Sequence, residues 1–206
     1  MRFTTDTDWT MVTGADCYRC GTKAYNVTTS VSAKNGTHYK PENEKGDMKY
    51  AGTTYSDILC IENNNVCVDD FEFFVIRNQT AETRNSIMRT DGVIGLAPDK
   101  KDNGPSFLAA LQAKKAIDKL QVGVRMIANA DKGQVSKMTF GGYDESQMLN
   151  FPSADNKKFY NYDNKDDGKE WGTELRNIYI GNATHNFSID SGKLTYAKVD
   201  TFSPYI

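Results

Sequence analysis

The apolar stretches of this chain are short, rich in Val, Ile, Phe and Tyr, and bounded by clusters of Gly, Asn and Asp. Such punctuation favours strands over long helices, because branched and aromatic side chains fit a pleated surface while Gly and Asn turn the chain. The spacing predicts strands over Asp57–Ile61, Val66–Val68, Phe71–Ile76, Val122–Ile127, Val135–Phe140, Leu175–Ile180 and Phe187–Ile189. Asn63, Asn64 and Asn65 can supply a turn between the first two, since Asn tolerates positive φ. One helix of about three turns is expected after Gly104-Pro105-Ser106, with Phe107, Leu108 and Leu111 on one face and Lys114 and Lys115 near its end. Residues 154–170 are rich in Asn, Asp and Lys and read as an exposed loop or a boundary between lobes. The expected class is all-β.

At 206 residues the chain can bury one sizeable core or two small ones. Its 25 basic and 27 acidic residues are interspersed, with no basic block of the kind that tracks a phosphate backbone, so no nucleic-acid partner is expected. No apolar run approaches the roughly 20 residues that span a bilayer. The opening Met1-Arg2-Phe3-Thr4-Thr5-Asp6 lacks the apolar stretch of a signal peptide. Neither a membrane span nor a leader is therefore expected in these residues.

Four cysteines form two local pairs, Cys17 with Cys20 and Cys60 with Cys67, which suits two short disulfides. Zinc is the alternative: Cys17-Tyr18-Arg19-Cys20 has a ligand spacing, but the second pair does not match it. Sequons at Asn26, Asn35, Asn78, Asn182 and Asn186 favour an oxidising, secretory compartment. His38 and His185 are isolated, and neither receives a metal or catalytic role.

The segment Phe187-Ser188-Ile189-Asp190-Ser191-Gly192 sets a carboxylate between an apolar strand and a glycine. A hydroxyl residue and Gly after Asp suit a tight active-site loop, although Asp-Ser-Gly is also an ordinary turn. Four other segments accompany it: Tyr50-Ala51-Gly52-Thr53 with Asp57-Ile58-Leu59, Asp91 to Ala97 reading DGVIGLA, Ser106 to Ile117, and Met138 to Asp144 reading MTFGGYD. In this order they resemble the pepsin-like aspartic proteases (peptidase A1), hydrolases that cut peptide bonds. The resemblance implies the pepsin-like acid protease fold, with residues 1–145 as an N-terminal lobe and 146–206 as an inter-lobe segment and the truncated start of the C-terminal lobe. It also implies a flap in which Tyr50, Gly52 and Thr53 contact substrate, catalysis by Asp190 with Gly192 beside it, and no cofactor or metal. An extended peptide or protein is the implied partner of a monomer in a lysosomal, vacuolar or secreted setting. Taken without the resemblance, Tyr50 reads as a half-buried strand residue.

The first active-site loop departs from the family's Asp-Thr-Gly. In one register Thr4 takes the position of the first catalytic Asp and Asp6 that of the loop glycine, and Cys17 then falls where the family has its first cysteine, without a gap. In the alternative, Asp6-Thr7-Asp8 is the motif itself and Cys17 comes too early. The first register is preferred on spacing. Either puts an aspartate where backbone must pass closely. The expectation is a family member, as a fragment of a longer protease, that is inactive because Thr4 replaces an Asp. The alternatives are a non-catalytic peptide- or protein-binding relative and a structural β glycoprotein.

Overall fold

The computed structural model describes residues 2–18, 20, 23–37, 42–45, 48–61, 66–81, 91–98, 104–125, 136–143, 171–174, 177–179, 186–188, 196–199 and 201. The strands, in chain order, are β1 (Arg2–Thr4), β2 (Met11–Tyr18), β3 (Lys34–Asn35), β4 (Glu42–Lys45), β5 (Met48–Ile61), β6 (Val66–Ala81) and β7 (Gly92–Gly95). The helix α1 (Phe107–Ala113) follows, then β8 (Val122–Arg125), β9 (Lys137–Phe140), β10 (Gly172–Glu174), β11 (Asn177–Tyr179), β12 (Asn186–Ser188) and β13 (Tyr196–Lys198). This is an all-β fold of the pepsin-like kind. The first seven strands form one sheet in the order β1-β7-β2-β6-β5-β3, with β4 also on β5. The later strands pair as β8 with β9, β10 with β13 and β11 with β12.

The run expected as two strands, Val66–Val68 and Phe71–Ile76, is the single strand β6. Asp70 at φ 51° interrupts its extended backbone without ending the ladder to β5, because that ladder resumes on either side. Phe71, Phe73 and Val75 pack on one face, against Ile94, Leu96, Phe107, Leu108 and Leu111. Phe74 and Ile76 pack on the other, with Trp9, Met11 and Val93. Alternation sends successive side chains to opposite faces, so a strand buried through six consecutive residues must be covered on both sides. Each fully buried Phe or Ile stabilises the sheet by about 1.5–3 kcal/mol.

Ser106 caps α1 by accepting the Ala109 amide at 3.2 Å, and Phe107, Leu108 and Leu111 are its buried residues. The helix has seven residues rather than three turns. Lys114 forms its C-cap, and Lys115 at φ 57° turns the chain left-handed, which ends the helical ladder.

Both cysteine pairs are disulfides. Cys60 and Cys67 stand directly opposite in the β5–β6 ladder, so that the hairpin itself brings the sulfurs together. The expected turn at Asn63–Asn65 and the loop at 154–170 lie outside the described residues.

Candidate functional site

Strand β7 lies between β1 and β2, parallel to the first and antiparallel to the second. The connection from β1 to β2 must therefore arch over the end of β7, and two hydrogen bonds hold it there. The Leu96 amide donates to the Thr4 carbonyl at 2.7 Å, and the Ala97 amide to that of Thr7 at 3.1 Å. Gly95 is required beneath the arch: a Cβ there would stand 2.5 Å from the Asp8 carbonyl carbon and 2.6 Å from the Trp9 oxygen. Here lies the physical reason for the second glycine of the DGVIGLA segment.

The arch is polar yet buried. Thr4, Thr5, Thr7, Asp8 and Thr10 are all buried. Thr4, Thr7 and Asp8 accept hydrogen bonds there, as burial requires, while the Thr10 hydroxyl finds no partner among the described residues. The Asp6 amide donates to the Thr4 hydroxyl at 3.2 Å and the Trp9 amide to the Thr7 hydroxyl at 3.1 Å. The Gly104 amide donates to the Asp8 carboxylate at 3.1 Å, tying the arch to the residues that lead into α1.

From the far end of the sequence, β13 and the residues after it reach this arch. The Thr5 hydroxyl donates to the Val199 carbonyl at 2.6 Å and accepts the Thr201 amide at 3.1 Å. In return the Thr201 hydroxyl donates to the Phe3 carbonyl at 3.3 Å. The exchange is reciprocal: each threonine grips the residue two before the other. Between Phe3 and Thr5 stands Thr4; between Val199 and Thr201 the sequence has Asp200, which lies outside the described residues. Next to this grip, Lys198 pairs with Asp6 at 2.5 Å, with side chains 30 % and 13 % exposed. The Trp171 indole donates to the Leu96 carbonyl at 2.7 Å, and the Val199 amide to that of Trp171 at 2.9 Å.

A groove of about 430 Å³ opens beside the grip, on Thr5, Leu96, Leu120, Val122, Trp171 and Val199. A second, of about 420 Å³, lies on Arg2, Phe3, Arg125, Lys137, Met138 and Thr201. Among the described residues, neither is lined by Gly52 or Thr53. The backbone of Tyr50 stands within β5, paired with Asn43 on one side and Gln79 on the other. Ahead of it Lys45 of β4 pairs with Met48 of β5, and β5 continues through Gly52 and Thr53 after a register shift. Asp190 and Gly192 lie outside the described residues.

Farther along β5 the single residue Ile58 stands against two in β6, Asp69 and Asp70, a bulge of β6 that interrupts the ladder beside the inward-facing Asp57. That carboxylate accepts from the hydroxyls of Tyr25, Ser30 and Ser32 and from the Ile58 amide. Burial alone would raise its pKa, but these four donors outweigh burial and hold it at about 2. Burial, then the hydrogen bond to Asp57 and its charge, push the Tyr25 phenol up to about 12.

Sequence reasoning did not single out Thr5 or Thr201. A signal was present, since Val199-Asp200-Thr201 repeats the apolar-X-Thr order of Phe3-Thr4-Thr5. It was obscured because Phe202 follows where an Asp-Thr-Gly signature needs glycine, whereas Asp190-Ser191-Gly192 keeps that outline. Among the described residues no cluster of His, Cys, Asp and Glu is arranged to hold a metal, and no helix is long and apolar enough to cross a membrane.

Comparison with curated proteins returns no match. A sequence model of the eukaryotic aspartyl protease family, by contrast, matches residues 6–201, a span that takes in the second half of the arch, the β7 segment, α1 and Thr201. With nearly its whole length matched, this chain belongs to the eukaryotic aspartyl protease family.

Proposed function

We propose that Thr4 and Asp200 occupy the two dyad positions of this aspartic-endopeptidase relative, and that it holds an extended peptide without hydrolysing it. The observation that carries the reading is the reciprocal grip of Thr5 on Val199 and of Thr201 on Phe3. The exchange makes Phe3-Thr4-Thr5 and Val199-Asp200-Thr201 counterparts, with residues 4 and 200 as the matching middle positions. Asp200 thereby replaces Asp190 as the candidate second carboxylate. Asp6 fits the first position poorly, because it follows the gripping threonine and its side chain is engaged by Lys198. In this reading the grip joins the halves 1–145 and 146–206, and Tyr50, Gly52 and Thr53 remain candidate peptide contacts.

The chemistry follows from the residue types. In aspartic proteases, as is established, two carboxylates lie close enough to share one proton; the ionised one activates water and the protonated one polarises the scissile carbonyl. Thr4 has a hydroxyl that does not ionise in the working range, and it already accepts the Asp6 amide. Asp200 can take a proton from water, but no carboxylic acid opposite it supplies one to the carbonyl oxygen. Loss of a unit that acts as a pair costs on the order of a thousandfold or more in rate. The family and the two disulfides support a secretory or lysosomal compartment.

Acid digestion of a mixed fluorogenic peptide library tests this. The wild-type chain is expected to bind peptides saturably without cutting them. Thr4→Asp combined with Asp6→Gly is expected to cut, and adding Asp200→Asn to abolish the cutting. Wild-type cleavage that survives Asp200→Asn would overturn the assignment.

A further inference from the structure

Three of the five sequons place their asparagine side chains among the described residues, at Asn26, Asn35 and Asn78, and all three are exposed. Exposure therefore does not separate them; local geometry does. At Asn26-Val27-Thr28 the Asn Oδ1 accepts both the Thr28 hydroxyl at 2.7 Å and the Thr28 amide at 3.1 Å. Behind it, the Thr29 amide and hydroxyl donate to the Asn26 carbonyl at 3.2 and 3.0 Å, closing a turn. This loop is pinned at both ends by one buried carboxylate: Asp57 accepts the Tyr25 hydroxyl before the sequon and the Ser30 and Ser32 hydroxyls after it.

The other two sequons stand in a different local geometry. The Thr37 hydroxyl, which belongs to the Asn35 sequon, donates to Glu72 at 2.9 Å, and Asn35 itself is in strand β3 on the edge of the sheet. Asn78 stands inside β6 with Ala51 paired on one side and Tyr18 on the other. Extended backbone there keeps a side chain from reaching the amide two residues on, which a turn of this kind requires.

We propose that Asn26 is the preferred N-glycosylation site of this chain. A carboxamide whose oxygen accepts two hydrogen bonds from the sequon threonine has its conformation set by three consecutive residues, so the arrangement can form before the sheet does. Among the described residues, no group takes a hydrogen bond from its Nδ2. The donor is a lipid-pyrophosphate-linked oligosaccharide. Nδ2 bonds to the anomeric carbon, the anomeric carbon–oxygen bond breaks, the lipid pyrophosphate leaves with that electron pair, and one Nδ2 proton passes to a base of the transferase. The attached glycan then projects from an exposed turn.

The test is translation of the full chain, behind a heterologous secretion leader, in the presence of microsomes. Enzymatic deglycosylation in heavy-oxygen water, followed by peptide mass spectrometry, reads Asn-to-Asp conversion at each sequon. Asn26 is expected to be converted in most molecules and more fully than Asn35 or Asn78, and Asn26→Gln to lose one glycan step on a gel. Thr28→Ala should abolish conversion at Asn26, while Thr28→Ser, which keeps the hydroxyl, should retain it. An unmodified Asn26, or fuller conversion at Asn35 or Asn78, overturns the proposal. Because microsomal transfer acts on the emerging chain, a low yield of folded protein does not obscure the result.

Discussion

Replacing Asp57 by Asn removes one charge from a carboxylate that is 6 % exposed and accepts four hydrogen bonds. Their lengths are 2.6 Å from Tyr25, 2.6 Å from Ser30, 2.5 Å from Ser32 and 2.7 Å from the Ile58 amide. Burial opposes ionisation, yet these donors lower the pKa from 3.8 to about 2. A carboxylate depressed in the folded state stabilises the fold above its unfolded pKa, and that contribution is lost as pH falls through the folded value. The fall from 3.8 to about 2 corresponds to about 2 kcal/mol at neutral pH. At pH 2 the same linkage leaves a few tenths of a kcal/mol. Tyr25 works in the opposite direction: with its phenol raised to about 12, its contribution is full below the unfolded value of 10.0 and is lost as pH rises through the folded one. Urea unfolding followed by the fluorescence of the buried Trp9 reads both limbs. Asp57→Asn is expected to be about 2 kcal/mol less stable at neutral pH, with the deficit shrinking between about pH 4 and pH 2. A deficit that stays constant across that window would refute the reasoning, because the loss would then come from shape and not from charge.

Thr5→Val keeps the shape of the side chain but removes the donor to Val199 and the acceptor for Thr201. The expected loss is about 1–3 kcal/mol, read as faster hydrogen exchange at the Val199 and Thr201 amides with the central β6 amides unchanged. Unaltered exchange at Thr201 would count against the grip. Gly95→Ala drives a Cβ into the backbone of Asp8 and Trp9 and is expected to cost about 3 kcal/mol or more. Gly142→Ala, where nothing lies within 4 Å, is expected to be near neutral, and equal melting temperatures for the two variants would contradict the packing argument.

How much was legible beforehand depended on sequence distance. The strand over Phe71–Ile76 could be read because its apolar run is local, and the disulfides because their partners are three and seven residues apart. The helix was placed correctly by Ser106 and its apolar face, but its end was not, since the left-handed Lys115 has no signal in residue type. The bulge of β6 at Asp69 and Asp70, opposite Ile58, was equally silent, because a bulge reflects how two strands register with each other.

The sequence by itself determined the β-rich class, the family resemblance and the threonine at position 4, because each rests on residue types at short spacing. Only the tertiary structure decided which distant segment grips the arch that carries that threonine. The bonds that make the grip join residues 194, 196 and 198 positions apart, and no local pattern encodes a contact made when two distant segments meet.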